Sequence, residues 1–326
     1  MPQVTSEALA SAVNRLRAGG VVAFPTETVY GLGADALNHR AVHRVYELKG
    51  RPAQNPLIVH VSDQIMARAM CDQWTTDAAR LAERFWPGPL TLVLPKSPRV
   101  PDVVTAGGPG VAVRCPAHPL ALALIEGFAG PIVGPSANLS GMVSPTAAAH
   151  VRAAFGDEDV MVLDGGACRA GIESTVLSLF DAEARLLRRG VVSAAEIEAV
   201  LQRPVTGPPD AQFHHASDQA LPSPGMLARH YAPRTPASLY NAPDLDEALA
   251  MRDTPAVVLA ISRTAHVEPP HVLIRMPLDA RDYAARLYAA LHEADDEHTT
   301  RILIEQPTAP GELWDALRDR LSRATA

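Results

Sequence analysis

Lys49 and Arg51, two cations on either side of a glycine, are well suited by residue type and spacing to hold a phosphate-rich ligand. Arginine binds oxyanions through two parallel N–H groups, and lysine neutralises them as a point charge. Pro52 restricts the chain that leaves this pair. Taken alone, the same tripeptide is more often a solvated helix end. The sequence has neither GxxxxGK[ST] nor GxGxxG, which excludes a Walker loop and a dinucleotide fingerprint.

A second polar cluster reads GPSANLSG over residues 134–141 and follows an apolar run. Ser136 and Asn138 lie in a turn flanked by glycines that could present backbone N–H groups to an anion. An ordinary turn stabilised by its serine and asparagine side chains explains the same residues. Arg114 ends another apolar run, where it is either a salt-bridge partner at a sheet edge or an anion anchor.

The histidines and cysteines do not form a pattern typical of a metal site. His60 lies inside the apolar run 57–61, where a core or substrate-contacting imidazole is a better interpretation than a metal ligand. His214 and His215 have no partner cysteines and no HExxH frame. The three cysteines form no CxxC pair, which fits a reducing cytoplasm. No nucleophile elbow is recognisable, so we expect chemistry without a covalent protein nucleophile.

Hydrophobic periodicity predicts a large mixed sheet with helices, followed by a smaller parallel α/β domain. The expected strands of the first part are 21–24, 57–61, 91–94, 111–114, 131–134, 161–163, 174–179 and 185–187. Its helix signals are Asn38 as a cap, Gly50 as a stop, caps at Thr76 and at Ser144-Pro145, and a capping box from Ser193 to Glu196. The second part is expected to have strands at 257–262, 272–276 and 301–305 and helices near 279–293 and 311–323.

A proline-rich segment separates the two parts. The chain has 326 residues, enough for two domains, and 29 prolines, of which seven lie from Pro204 to Pro236. Such a stretch behaves as a semi-rigid spacer. We therefore predict a catalytic domain over 1–205, a linker over 206–236 and a small domain over 237–326.

The overall charge and the hydropathy of the sequence disfavour nucleic-acid coat proteins and membrane proteins. The formal net charge of −7 disfavours a dedicated nucleic-acid coat, which would carry a basic excess. The N-terminal residues have no apolar run of signal-peptide length, and no window reaches the ~20 apolar residues of a membrane span. The sequence predicts a cytoplasmic protein without a membrane partner.

Taken together, the polar segments resemble the threonylcarbamoyl-AMP synthases in their long form, with a YrdC-like domain followed by a smaller one. The family's K-x-R and S-x-N signature is present as Lys49/Arg51 and Ser136/Asn138. The similarity covers nearly the whole chain in order, through PTETVYGLG (25–33), KGRPxxNPLIVH (49–60), WPGPLTLVL (86–94), VAVRCP (111–116), GPSANLSG (134–141), ESTV (173–176), LLRRG (186–190), SPGMLARHYAP (223–233) and ELWDALRDRLSRA (312–324). It implies a YrdC-like twisted mixed sheet and a Rossmann-like second domain.

The resemblance implies a nucleotidyltransferase that converts L-threonine, bicarbonate or CO2, and ATP to L-threonylcarbamoyl-AMP, pyrophosphate and water. The product would supply threonylcarbamoyladenosine modification of tRNA through a downstream transfer machinery. Mg²⁺ would accompany ATP. The sequence has no cluster of carboxylates from which protein ligands for the ion could be assigned. Positioning and charge neutralisation suit such a displacement better than acid–base groups.

Residue roles carried over by motif divide into three sets. Lys49 and Arg51 would be catalytic. The L-threonine set would be Thr28, His60, Arg114, Ser136 and Ser174. The ATP set would be Arg51, Asn55, Gly110, Asn138, Thr146, Arg188 and Tyr231, with Tyr231 on a lid formed by the linker. Many members have threonine where this chain has Gly110, so that contact would be made by backbone or be absent.

Two other functions remain open from sequence alone. YrdC-like folds invite a double-stranded-RNA or tRNA-binding module without catalysis, although the charge and the lack of stacking aromatics speak against it. A carbamoyl-transfer domain of the kind found in hydrogenase maturation would bring a CxxC zinc finger and an acylphosphatase segment. Neither accompanies this chain.

Overall fold

The computed structural model describes residues 5–208, 230–250, 254–296 and 299–326. These residues divide into two compact units. The first comprises 5–140 and 145–208, and the second comprises 141–144 together with the described residues from 230 onward. Residues 209–229, most of the expected linker and lid, lie outside the described residues. The boundaries at 205 and 236 therefore stay predictions.

The first unit is built on a mixed sheet of ten strands, in the order β10-β9-β8-β4-β5-β3-β6-β2-β1-β7. The predicted mixed sheet is confirmed. Its strands are β1 (Val22–Phe24), β2 (Gly31–Asp35), β3 (Ile58–His60), β4 (Leu90–Pro95), β5 (Gly110–Arg114), β6 (Ile132–Val133), β7 (Met161–Val162), β8 (Thr175–Ser178), β9 (Ala184–Arg188) and β10 (Val205–Thr206).

Two of these strands have no strong sequence signal. β2 contains two glycines, which weaken strand propensity, yet it pairs antiparallel with β1 in the register Phe24 to Gly31. β10 has only two residues and pairs with Ala184 and Arg185 of β9. Tertiary pairing, rather than local preference, makes both segments strands.

Helices cover this sheet. They are α1 (Ser6–Arg17), α2 (His39–Lys49), α3 (Gln64–Met70), α4 (Thr76–Phe85), α5 (Asp102–Thr105), α6 (Pro119–Phe128), α7 (Ala148–Asp159) and α8 (Ala194–Leu201). All of them except α5 and α7 begin at a side-chain cap. The Asn38 side chain accepts N–H groups of the first turn of α2, and Gly50 ends that helix with φ of +58°. The capping box that opens α8 is also present.

Two predicted helix starts are wrong. Thr75, not Thr76, caps α4, because its hydroxyl accepts the N–H of Ala78. No helix starts at Ser144-Pro145. The Pro145 carbonyl accepts the N–H of Tyr30 in a loop pairing, and α7 begins only at Ala148.

The second unit contains a four-stranded sheet in which every pairing is parallel. Its strands, in the order β11-β14-β12-β13, are β11 (Ala237–Tyr240), β12 (Ala256–Ala260), β13 (Val272–Arg275) and β14 (Arg301–Glu305), and its helices are α9 (Leu245–Ala250), α10 (Ala280–Ala294) and α11 (Glu312–Ala324). The predicted parallel α/β domain is confirmed. β11 has no strong sequence signal, because its residues ASLY include no β-branched side chain and only Tyr240 is buried.

Apolar clusters lie on both faces of the first sheet. Val22 and Phe24 of β1 pack with α1 and α6 through Leu16 and Ile125. Ala23, between them in the strand, belongs to the larger cluster on the opposite face. Successive strand residues point to opposite faces, so this sheet is buried on both sides. Polar side chains at the ends of these strands therefore lie between the sheet and the helices that pack on it.

Candidate functional site

Arg114, the last residue of β5, is buried with only 3% of its surface exposed. Its Nε donates to the Gly88 carbonyl at 3.2 Å, and its Nη1 donates to the Thr28 hydroxyl at 2.9 Å. Its Nη2 lies 2.8 Å from Oε1 of Glu27, an ion pair whose two atoms make no aligned hydrogen bond. A buried guanidinium is thereby fixed in orientation while one nitrogen keeps donor capacity for a ligand.

A tight turn after β1 delivers Glu27 and Thr28 to Arg114. The Thr26 hydroxyl accepts the N–H groups of Thr28 and Val29 at 3.1 and 3.2 Å. It also lies 2.8 Å from the Thr28 hydroxyl. Short side-chain-to-backbone bonds of this kind define a turn locally. Glu27 has no role among the residues carried over by motif, although it lies inside the PTETVYGLG segment.

His60 ends β3 and lies beside Arg114 in the parallel register of β3 and β5. It is 2% exposed, and its Nδ1 has no hydrogen-bond partner. Burial, and secondarily the charge of Arg114, hold its pKa well below the usual range. A β-carbon on Gly134 would lie 2.6 Å from that Nδ1. The imidazole of His60 therefore fits in its present position only because residue 134 is glycine.

Lys49 connects the two halves of the K-x-R and S-x-N signature. Its Nζ donates to the backbone carbonyls of Ser136 at 2.6 Å and Asn138 at 2.5 Å. Burial, followed by the charge of Arg51, lowers its pKa well below the usual range. Lys49 therefore contacts Ser136 through the backbone carbonyl of Ser136, and the serine side chain remains available for other contacts.

Arg51 organises the loop that carries Asn55. Its Nε donates to the Asn55 carbonyl at 3.0 Å, and its Nη2 donates to the Pro56 carbonyl at 2.8 Å. Asn55 is fully buried, yet neither atom of its side-chain amide has a partner. The Thr146 hydroxyl is buried and unpartnered in the same way. A buried polar group without a partner costs about 1–3 kcal/mol, and a ligand or a water molecule that bonds to it removes that cost.

Ser174 and Arg188 form a third polar group at the start of β8 and the end of β9. Arg188 donates to the Ser174 carbonyl at 3.0 Å and to its hydroxyl at 3.1 Å. The same hydroxyl lies 2.8 Å from that of Thr91. Gly190 allows this close approach, because a β-carbon there would lie 2.5 Å from the Thr175 nitrogen.

Two further residues of the expected ATP set are Gly110 and Tyr231. Gly110 begins β5, at the opposite end of the strand from Arg114, and a β-carbon there would contact Val93 and Phe180. Tyr231 belongs to the second unit, where it stacks on Tyr288 with ring centroids 5.7 Å apart. Their assignment to ATP stays a prediction.

The described residues contain no group of three histidine, cysteine or acidic side chains able to hold a metal ion. Burial raises the pKa of the Cys115 and Cys168 thiols to about 12, so neither is ionised near neutral pH. Within the same ranges, no helix is both long and apolar enough to cross a membrane. The cytoplasmic location stays a prediction.

The first unit holds buried or half-buried cations at Lys49, Arg51, Arg114 and Arg188. It also holds buried polar atoms without hydrogen-bond partners at Glu27, Asn55, His60, Arg114 and Thr146, as well as at the indole nitrogen of Trp74. Such an arrangement can bind anionic groups and hold a second polar molecule beside them.

Two sequence families match the chain. Residues 14–190 match the family described as "Telomere recombination", and residues 192–326 match the "Threonylcarbamoyl-AMP synthase, C-terminal domain". The two matches meet at residue 191, between β9 and α8, so the second match begins within the first unit.

Curated relatives carry the name threonylcarbamoyl-AMP synthase. The protein of Pyrococcus abyssi is 49% identical over 70% of this chain and 66% of its own length. The protein of Schizosaccharomyces pombe is 35% identical over 100% of this chain and 90% of its own length. A crystal structure of P. abyssi Sua5 complexed with L-threonine superposes with a TM-score of 0.90 at 38% identity, over 99% of this chain and 95% of that one.

Proposed function

The chain belongs to the threonylcarbamoyl-AMP synthase family, and on that premise we propose that it makes L-threonylcarbamoyl-AMP, pyrophosphate and water from L-threonine, bicarbonate or CO2, and ATP. The observation that carries the proposal is the set of orphaned polar atoms at Glu27, Asn55, His60, Arg114 and Thr146. Native proteins satisfy nearly all buried polar groups, so this set supports two adjacent ligand sites. The names of the relatives favour this reading over an RNA-binding module.

L-Threonine is proposed to bind around Arg114. Its carboxylate would take the donor capacity left on the Arg114 guanidinium, because a buried arginine recognises carboxylates strongly. The Thr28 hydroxyl and the unpartnered Nδ1 of His60 adjoin that guanidinium. Ser136 and Ser174 would complete the threonine site. The solved P. abyssi relative is described as complexed with L-threonine, which supports this assignment.

ATP is proposed to bind beside Lys49 and Arg51. The side-chain amide of Asn55 and the hydroxyl of Thr146 have no partners and would form hydrogen bonds with polar groups of the nucleotide. Arg188 adds positive charge for the phosphates. The remaining expected contacts are Asn138, Gly110 and Tyr231.

The chemistry requires little from the protein beyond placement and charge. The threonine amine and bicarbonate would form a carbamate with loss of water, and a carbamate oxygen would then attack the α-phosphate as pyrophosphate leaves. Positive charge around the phosphates stabilises the negative charge that develops in such a displacement. Lys49 and Arg51 would supply it as the catalytic pair.

Mg²⁺ is proposed to arrive with ATP. The described part of the chain shows no cage of acidic ligands, and magnesium with nucleotides is commonly held by phosphates and water with few carboxylates. The adenylate would then pass to the machinery that modifies tRNA.

Release of pyrophosphate tests the proposal. The purified protein should release it from ATP only when L-threonine and bicarbonate are both present. An equal rate without threonine would contradict the assignment. Arg114→Ala should raise the KM for threonine much more than the KM for ATP, because the carboxylate anchor is lost. Arg185→Ala, at an exposed position of β9, is the matched control.

A further inference from the structure

We infer that Glu27 recognises the α-ammonium of L-threonine, so that the site selects an amino acid over the same acid without its amine. The inference rests on the proposed function and deepens it. It concerns a residue that neither the sequence analysis nor the K-x-R and S-x-N signature assigns.

The Glu27 carboxylate is fixed at one oxygen and available at the other. Oε2 accepts the backbone N–H of Ala117 at 3.0 Å, and the Glu27 carbonyl accepts the N–H of Ala170 at 2.7 Å. Oε1 is buried, makes no hydrogen bond and lies 2.8 Å from Nη2 of Arg114. The side chain is only 12% exposed. Bonds at both the backbone and the side chain therefore hold Oε1 in place for a donor.

The pair formed by Glu27 and Arg114 matches the charge pattern of an amino acid. In a zwitterion, the ammonium is attached to the carbon that carries the carboxylate. When the carboxylate lies on Arg114, the ammonium is consequently within reach of the adjacent Oε1. Burial, followed by the charge of Arg114, lowers the pKa of His60 well below its usual range, and burial raises the pKa of the Cys115 and Cys168 thiols to about 12, so these three neighbours add no charge near neutral pH.

The balance between the charges of Glu27 and Arg114 explains why the site would prefer an amino acid to a simple carboxylic acid. Arg114 alone would attract any carboxylate, whereas the ion pair has no net charge and gains little from a simple monoanion. A ligand without an ammonium also leaves Oε1 buried with no hydrogen-bond donor other than its ion-pair partner Arg114, and sites built to accept a hydrogen bond reject the analogue that lacks the donor.

The test compares binding of L-threonine and (R)-3-hydroxybutyrate, which is threonine without its amine, to the full-length protein by calorimetry. In Glu27→Gln, the Kd of threonine should rise about tenfold or more, which is the loss of one charge-assisted hydrogen bond. The Kd of 3-hydroxybutyrate should fall, since the Arg114 charge is no longer balanced. Glu83→Gln, an exposed position on α4, should leave both values unchanged.

The outcomes separate recognition from a merely structural role. If Glu27 only holds Arg114, both ligands weaken in parallel, because both bind through a carboxylate, and the inference is overturned. Glu27→Asp keeps the charge and should retain a stronger preference for threonine than Glu27→Gln does, which gives a second test if the Gln variant folds poorly. A wild-type protein that binds no threonine would instead contradict the proposed function.

Discussion

The ammonium of Lys49 donates to the backbone carbonyl of Asn138 at 2.5 Å, and it donates at 2.6 Å to the carbonyl of Ser136. Two segments that lie 87 or more residues apart in the chain are thereby joined by one side chain. Lys49 stabilises the Ser136–Asn138 loop through these two bonds. The two short signatures therefore form one structural unit.

Lys49→Met should destabilise the protein and impair both substrate sites. Its removal leaves two buried carbonyls without their donor, and we expect the free energy of unfolding to fall by about 1–3 kcal/mol. Urea unfolding and ATP titration measure the two effects. Lys96, the other lysine of the chain, pairs with the exposed Asp102, so Lys96→Met should lower the free energy of unfolding much less than Lys49→Met and leave ATP binding intact. Similar losses in both variants would contradict the role of Lys49.

Asn55→Leu should abolish ATP binding without loss of stability in the absence of ligand. The leucine removes an amide that is buried without partners, so the unfolding midpoint should stay the same or rise. Asn38→Ala provides the opposite pattern: loss of the cap of α2 should cost about 1 kcal/mol and leave ATP affinity unchanged. Thermal unfolding and isothermal titration give both readouts. A large drop in stability for Asn55→Leu would show that the amide is satisfied within the protein.

His60 should make the protein less stable as the pH falls. Its pKa in the folded state lies well below the ordinary value of about 6.5, so the unfolded chain binds a proton there first. Between about pH 7 and pH 5 the free energy of unfolding should therefore fall further in the wild type than in His60→Gln. Urea unfolding across this range measures the difference. His39→Gln, at an exposed position in α2, should follow the wild type, and parallel curves for His60→Gln would refute the prediction.

Gly134→Ala should weaken threonine binding through His60. The new methyl group would lie 2.6 Å from the imidazole Nδ1 and must displace the ring. We expect the Kd of threonine to rise about tenfold while the ATP affinity changes little. Gly207→Ala, where a β-carbon meets nothing within 4 Å, is the control. Unchanged threonine binding would mean that the imidazole is not needed in its present position.

The fold class can be predicted from the sequence because the spacing of apolar residues indicates strands and helices directly. β3, β5 and the cap of α2 follow from local residue types, and the structure has them where they are predicted. β2 was missed because its glycines lack strand preference and it depends on pairing with β1. The start of α7 was misplaced because the Pro145 carbonyl bonds to Tyr30, far away in the sequence.

The sequence by itself determined which residue types carry charge and hydrogen-bonding capacity, and in which motifs they stand. Only the tertiary structure decided which of them meet. Glu27 becomes significant because the turn after β1 brings it to Arg114 at the end of β5, and Lys49 because it reaches two carbonyls of a distant loop. Charge and hydrogen-bond balance depend on distances of a few ångströms, and those distances are set by strand order and packing rather than by position in the chain.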